Sequence, residues 1–533
     1  MLFSFLSKAL VVVSSLSVAV GAVPRGEAMA EVHGKRVAII GAGAAGSSAA
    51  YHLSQYASLS SIPTNITVFE RSNYVGGRTT TVDAWSSPAN PIELGGSIFV
   101  TVNQILVDAA RQFNLSTSEL EPPKPEGAPE LGVWNGKEFV VVTSNEDGWW
   151  GKARLLWRYG IAPIRTNNLM KATVAKFLKM YEEPLFPWKS LSEAVEEVGL
   201  TSVTSHTAEQ YLKVNKIEGK FANEIIQAST RVNYASNLGL IHGLEAMVCM
   251  ATNGAMAVRG GNWQIFSSML KSSPTISTHL NTSVTDITHN PDTKTYTLTT
   301  SSGQTSDYDT VILAAPYQFS SLTISPLPKH IPDEIPYVSL HVTLFASPHP
   351  LTPSAFNLPP GSQVPQFVLT TLPPGEDHGA DPNGVGTPGF FSISIVSSGM
   401  NPHSSPPGRV EYIYKIFSAE PVTSARLSEL LGHEVGDEED INGPVSWIHR
   451  KLWHSYPYEF PRVTFEEIEL QEGLWYTSGI ESFISTMETS ALMGKNVARL
   501  VVDSWVEGGD GLKVQGWEFE GVTGEQKPIR AKL

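Results

Sequence analysis

The residues best placed to do chemistry in this chain are small ones. Residues 36–53 read RVAIIGAGAAGSSAAYHL: an apolar run ends at Gly41, and Gly43 and Gly46 follow at G-x-G-x-x-G spacing, with Ala42 and Ala45 among them. At that spacing the first glycine permits a tight turn after a strand. The second lets backbone approach a pyrophosphate, and the third lets a helix pack closely on the sheet. Free N–H groups and the positive end of the helix dipole then meet the phosphate charge. The same spacing recurs in GVGTPG, residues 384–389, but no strand precedes it and Pro388 stands where a helix would start. That copy reads as a loop.

The segment TVFER ends an apolar strand in Glu70 and Arg71, at the distance from the glycines that ribose recognition requires. A carboxylate there accepts hydrogen bonds from ribose hydroxyls and repels a 2′-phosphate, which narrows the dinucleotide to NAD or FAD. Directly after it, SNYVGGRTTTV supplies Gly76, Gly77 and Arg78, and PIELGGSIF supplies Gly95, Gly96, Ser97 and Ile98. Together these segments resemble the large flavoprotein family that includes the amine oxidases, in which G-G-R-x-x-T follows the ribose-binding acid. The resemblance implies FAD as cofactor, with Arg78 along the diphosphate and the turn at 95–98 brought to the flavin ring. It also implies that Val284, in NTSVTDI, meets the adenine end through its backbone.

Near the end of the chain, GIESFISTMETSALMGKN offers Ser482, Ser485 and Thr486 as N-cap hydroxyls for a final helix. A helix N-terminus beside the flavin favours the anionic reduced form through its dipole. Glu481 and Met487 are the expected cofactor contacts there.

The middle of the chain narrows the resemblance further. STRVNYASN, followed by GLEAMVCMATNGAMAVRGGNWQIF, is similar to the prenylcysteine oxidase (prenylcysteine lyase) family through Arg231-Val232-Asn233-Tyr234 and Gly260-Gly261-Asn262. The implied reaction removes a hydride from the carbon next to sulfur, after which water attacks and the hemithioacetal collapses to cysteine and a prenyl aldehyde. Oxygen then takes the electrons as hydrogen peroxide. The resemblance makes Arg231 a partner for the substrate carboxylate, with Asn233 and Tyr234 nearby; a structural ion pair for Arg231 is an equal alternative. Ala235-Ser236, where the family has G-Q, and Trp263 are departures expected to face substrate. Two other functions remain open: an FAD oxidase of amine-oxidase type acting on another small apolar molecule, and a flavin-containing ligand-binding protein without turnover.

The elements that must position these residues follow from periodicity. The expected fold is α/β, a discontinuous Rossmann-type FAD-binding domain at 35–115, 251–330 and 466–510. A helical substrate part is inserted at 116–250, and sheet with Pro-rich loops at 331–465, before a tail at 511–533. Residues 1–22 carry the pattern of a secretory signal peptide, and 23–34 read as a linker. That route, ending in the lysosome or vacuole or outside the cell, agrees with glycosylation sequons at Asn65, Asn114 and Asn281.

A net charge of −15 over 533 residues argues against a nucleic-acid partner. No transmembrane span is expected in the mature chain, and peripheral membrane contact and oligomeric state stay open. The single cysteine, Cys249, reads as a buried packing thiol. The histidines show no ligand spacing, so no metal is expected, and H-E-x-x-H, G-x-S-x-G and Walker motifs are absent.

Overall fold

The computed structural model describes residues 34–119, 123–143, 157–376, 384–438 and 440–509. The expected signal peptide, most of the linker and the tail at 511–533 lie outside the described residues. The apolar run Lys35–Ile40 is the centre of a six-stranded sheet. It pairs in parallel with Thr64–Phe69 on one side and Thr310–Leu313 on the other. Ile276–His279 and Leu474–Tyr476 extend the parallel ladder, and Glu469–Gln471 closes one edge in the antiparallel sense. Parallel strands buried on both faces need continuous apolar sequence, as VAII and TVIL provide.

One face of this sheet, through Ala38, Ile40 and Leu313, packs on a four-stranded sheet that includes Val284–Asn290 and Thr295–Thr300. The other face, through Val37, Ile39 and Val68, meets the helix Ala44–Leu59 and the final helix Met487–Glu507. These helices approach so closely that a Cβ at Gly494 would collide with the carbonyl of Ala45. Ser48 Oγ, donating to the Ala491 carbonyl at 2.6 Å, fixes the crossing.

The second domain is built on a seven-stranded sheet. Its order runs Trp447–Pro457, Tyr337–Ser347, Arg409–Ser418, Ser392–Asn401, Phe367–Thr370, Leu131–Trp134, Phe139–Thr143. The last two strands lie within 116–250, the part expected to be mostly helical, and join it to the sheet. Around a turn at Gly136, Val133 and Val141 face the helices while Trp134 faces the opposite core. This two-residue alternation is short enough to be overrun by the helical pattern that follows it. Thr117–Glu119 is likewise a strand, paired with Met256–Val258. The helices between Ala162 and Cys249 then cover one face of the sheet, with Cys249 buried among them as expected. Asn65, Asn114 and Asn281 are all exposed. No described helix is long and apolar enough to cross a membrane.

Candidate active site

The two glycine turns read from sequence meet in space. Gly41 adopts φ +109° as the strand ends, and Gly76, at φ +116°, donates its N–H to the Ala42 carbonyl at 2.9 Å. Both conformations are open to glycine and strained for other residues. A Cβ on Gly46 would strike the Gly41 carbonyl, whereas one on Gly43 would meet nothing within 4 Å. The first glycine is therefore required by the protein's own packing, and the second opens a space beside the helix N-terminus. That cradle fits a pyrophosphate.

Glu70, buried at the end of its strand, accepts from Ala42 N–H at 2.9 Å through Oε2 and from Ser72 N–H at 2.8 Å through Oε1. Each oxygen keeps lone-pair capacity for a ribose hydroxyl. The backbone N–H of Thr282 reaches the Glu70 carbonyl at 2.8 Å, bringing the strand that starts at Val284 against this corner. Val284 itself is buried in the core behind it. Arg71 turns away and donates to the Phe319 carbonyl at 2.9 Å.

The turn at 95–98 is held from three directions. Gly96 N–H bonds the Arg78 carbonyl at 3.1 Å, and a Cβ at Gly96 would press on Met487 at the start of the final helix. Asn262 donates to the Gly96 carbonyl at 3.1 Å while its own N–H reaches Glu93 Oε1 at 2.6 Å. Lys415, rising from the substrate sheet, donates to Ser97 Oγ at 2.9 Å and to the Glu93 carbonyl at 3.0 Å. Burial lowers the Lys415 ammonium to about 8 and raises the Glu93 carboxyl to about 7. Ile98 stays partly exposed beside them.

Arg78 and Glu481, both expected at the cofactor, form an ion pair at 2.8 Å. Tyr337 donates to the same carboxylate at 3.2 Å, and Arg78 also reaches the Ser455 carbonyl at 2.7 Å. In this structure the guanidinium is thus tethered to Glu481 and Ser455, beside the Gly76–Gly77 turn that precedes it. Of the three hydroxyls considered as caps, Thr486 is the N-cap, in a capping box with Thr489.

The substrate candidates separate. Arg231 is fully buried, and its guanidinium donates to Thr370 Oγ1, Asn237 Oδ1 and the carbonyls of Gly384, Val385 and Phe390. Its donors hold the GVGTPG loop, so the expected pairing with a substrate carboxylate is corrected to a structural role. The structure favours the bland alternative here, with backbone carbonyls in place of an ion-pair partner. Trp263 lies beside the glycine turns. It caps the Gly76 turn, its Cβ lying 3.1 Å from where a Gly76 side chain would start, and donates to the Gly260 carbonyl at 3.2 Å. Asn233 is exposed and bonds back to Ser229 O at 2.9 Å. Tyr234 reaches the approach to the final helix, donating to the Ser485 carbonyl at 3.0 Å.

Comparison with known proteins fits this geometry. Residues 142–512, more than half of the chain, match the family described as prenylcysteine lyase, and residues 39–113 match an NAD(P)-binding Rossmann-like domain. The chain belongs to the prenylcysteine lyase family. It is 29% identical to farnesylcysteine lyase of Arabidopsis thaliana, over 88% of each chain. It is 28% identical to prenylcysteine oxidase 1 of Homo sapiens, over 88% of this chain and 89% of that one. Cyclohexylamine oxidase from Brevibacterium oxydans shares the fold at 15% identity and TM-score 0.52, over 89% of this chain and 100% of that one. A putrescine oxidase variant does so at 13% and 0.53, over 88% and 99%.

This prenylcysteine lyase family member also holds a buried acidic cluster that sequence reasoning missed. Ligand atoms of His242, Glu245 and Glu459 lie within 4.8 Å of one another, all three side chains enclosed. His242 Nδ1 accepts the Glu245 N–H at 3.1 Å, which leaves the ring hydrogen on Nε2, 3.5 Å from Glu459 Oε2. With that hydrogen in place, Nε2 has no lone pair free for a metal, and it faces the carboxylate without a hydrogen bond. Burial raises Glu245 to about 8 and, with the neighbouring Glu245, lifts Glu459 well above the usual carboxylate range. Lone acids scattered at 245 and 459 give no sequence signal. Lys415 gives one, as a cation inside the apolar strand EYIYKIFS.

Proposed function

We propose that this chain is an FAD-dependent oxidase that cleaves the thioether of a prenylcysteine. Thioether, water and oxygen become cysteine, prenyl aldehyde and hydrogen peroxide. The carrying observation is the hydrogen-bonded junction of the two glycine turns at Ala42 and Gly76, with Glu70 beside it, in a chain of this family. Relatives named farnesylcysteine lyase and prenylcysteine oxidase 1 support the substrate class.

FAD, when bound, supplies the hydride acceptor for the carbon next to sulfur. The loop from Gly41 to Gly46 would hold its diphosphate, Glu70 a ribose, and the turn at 95–98 the ring. Asn262 and Lys415 keep that turn in place, while Thr486 sets the N-terminus of the final helix toward it. Hydride removal takes no proton from carbon, so the chain needs no strong base at the reacting atom. The protein works on the secretory route, in lysosome or vacuole or after secretion, as residues 1–22 and three exposed sequons support.

In air, farnesylcysteine incubated with the purified holoprotein should yield farnesal, free thiol and hydrogen peroxide in equal amounts. Thiol release without aldehyde, or peroxide without either, would contradict the proposal.

A further inference from the structure

The helical part of the second domain ends in an apolar tip. Trp157 is 90% exposed, Ile161 53%, Ile164 55% and Val214 74%. Single exposed apolar residues are ordinary, but several at one corner, an indole among them, mark an interaction surface. Arg165 donates to the Lys216 carbonyl at 3.1 Å, so the start of the helix Ala162–Leu178 lies beside the turn that follows Val214. Behind the tip Tyr159 packs edge-on to Phe221 at 5.3 Å, with Met170, Leu212 and Ile217 buried. The tip is therefore held on a packed base.

Charge selects the partner. Residues 157–171 carry Arg158, Arg165 and Lys171 and no acid, in a chain of net charge −15. The neighbouring turn adds exposed Lys213, Lys216 and Lys220 against Glu209 and Glu218. Glu224 is engaged by Arg158 at 2.8 Å and by the Tyr159 hydroxyl at 2.7 Å, so Arg165, Lys213, Lys216 and Lys220 still outnumber Glu209 and Glu218 at the tip. Lysine is depleted at the centres of protein–protein interfaces. Tryptophan and isoleucine rimmed by lysine and arginine instead match the boundary of an anionic bilayer.

We propose that this tip docks the protein on an anionic lipid surface. Trp157, Ile161, Ile164 and Val214 enter the headgroup boundary, and Arg165, Lys213, Lys216 and Lys220 lie over the lipid phosphates. Docking would hold the second domain where molecules bearing an isoprenoid chain concentrate; only that rationale rests on the proposed substrate. The surface itself is read by binding alone.

The holoprotein should co-float with phosphatidylcholine vesicles containing phosphatidylserine, less with phosphatidylcholine alone, and less again in high salt. The triple variant Trp157→Ser, Ile161→Ser, Ile164→Ser should weaken partition by at least about tenfold. It should keep its flavin colour and its turnover of farnesylcysteine in free solution. Lys213→Glu with Lys216→Glu should abolish the preference for phosphatidylserine. Absence of wild-type flotation on either vesicle, or triple-variant flotation equal to wild type, would overturn the proposal. A shift from dimer to monomer in the triple variant, without any lipid binding by wild type, would assign the tip to a second copy instead. Flotation without flavin reduction by farnesylcysteine would uphold the tip and count against the proposed reaction.

Discussion

At Gly43 a side chain would point into open space, while at Gly46, three residues on, it would run into the Gly41 carbonyl. The two glycines of one motif thus answer to different demands, the first to a ligand and the second to packing. Gly43→Leu should fold with the melting temperature of FAD-stripped wild type but purify colourless, which absorbance against circular dichroism will check; a yellow variant would contradict the cradle. Arg231 makes the opposite case. Its five hydrogen bonds and its place 5.2 Å over the Phe391 ring make it an internal clamp. Arg231→Lys should cost about 3 kcal/mol of stability by denaturant titration, with the KM for farnesylcysteine nearly unchanged. A large rise in KM at unchanged stability would restore the substrate-carboxylate role. The sequence spoke clearly at Gly43 because backbone geometry is written in glycine spacing. It was ambiguous at Arg231 because a guanidinium serves a ligand and a loop of carbonyls equally well.

Among the elements, the segment around Glu459 and the helix Gly243–Cys249 share a buried charge problem that fixes their response to pH. Burial keeps Glu245 protonated in the folded state over a pH window in which the unfolded chain, which releases that proton near 4.5, is already ionised. Folding therefore binds protons in that window, and stability falls as pH rises through it. Glu93 and Glu488, each raised to about 7 by burial, act in the same direction. His242, lowered to about 3, acts oppositely: its contribution is present near pH 6.5 and is lost as pH falls toward 3. Melting temperature should peak on the acidic side of neutrality. Glu245→Gln should flatten the decline between about pH 5 and 8 without removing it; an unchanged profile would mean that Glu245 is already ionised in the fold. At the same scale, Thr486→Ala removes the cap of the final helix and should cost about 1 kcal/mol by the same titration.

Over the whole molecule, the parallel sheet and its nucleotide corner were legible because each depends on local pattern: an apolar strand, a glycine turn, an acid at the next strand end. The second domain was less so. Its sheet gathers strands as distant as Leu131–Trp134 and Trp447–Pro457, and short runs such as LGVW carry little periodicity of their own. The supports of the turn at 95–98 were hidden for the same reason, since Lys415 and Asn262 reach it only through the tertiary fold. What joins the two domains is one proposed reaction, and flavin colour reports on it directly. Farnesylcysteine added to the yellow holoprotein without oxygen should bleach the flavin, and admitting air should restore the colour with release of peroxide. Flavin that stays oxidised with farnesylcysteine, yet bleaches with an amine, would contradict the central claim.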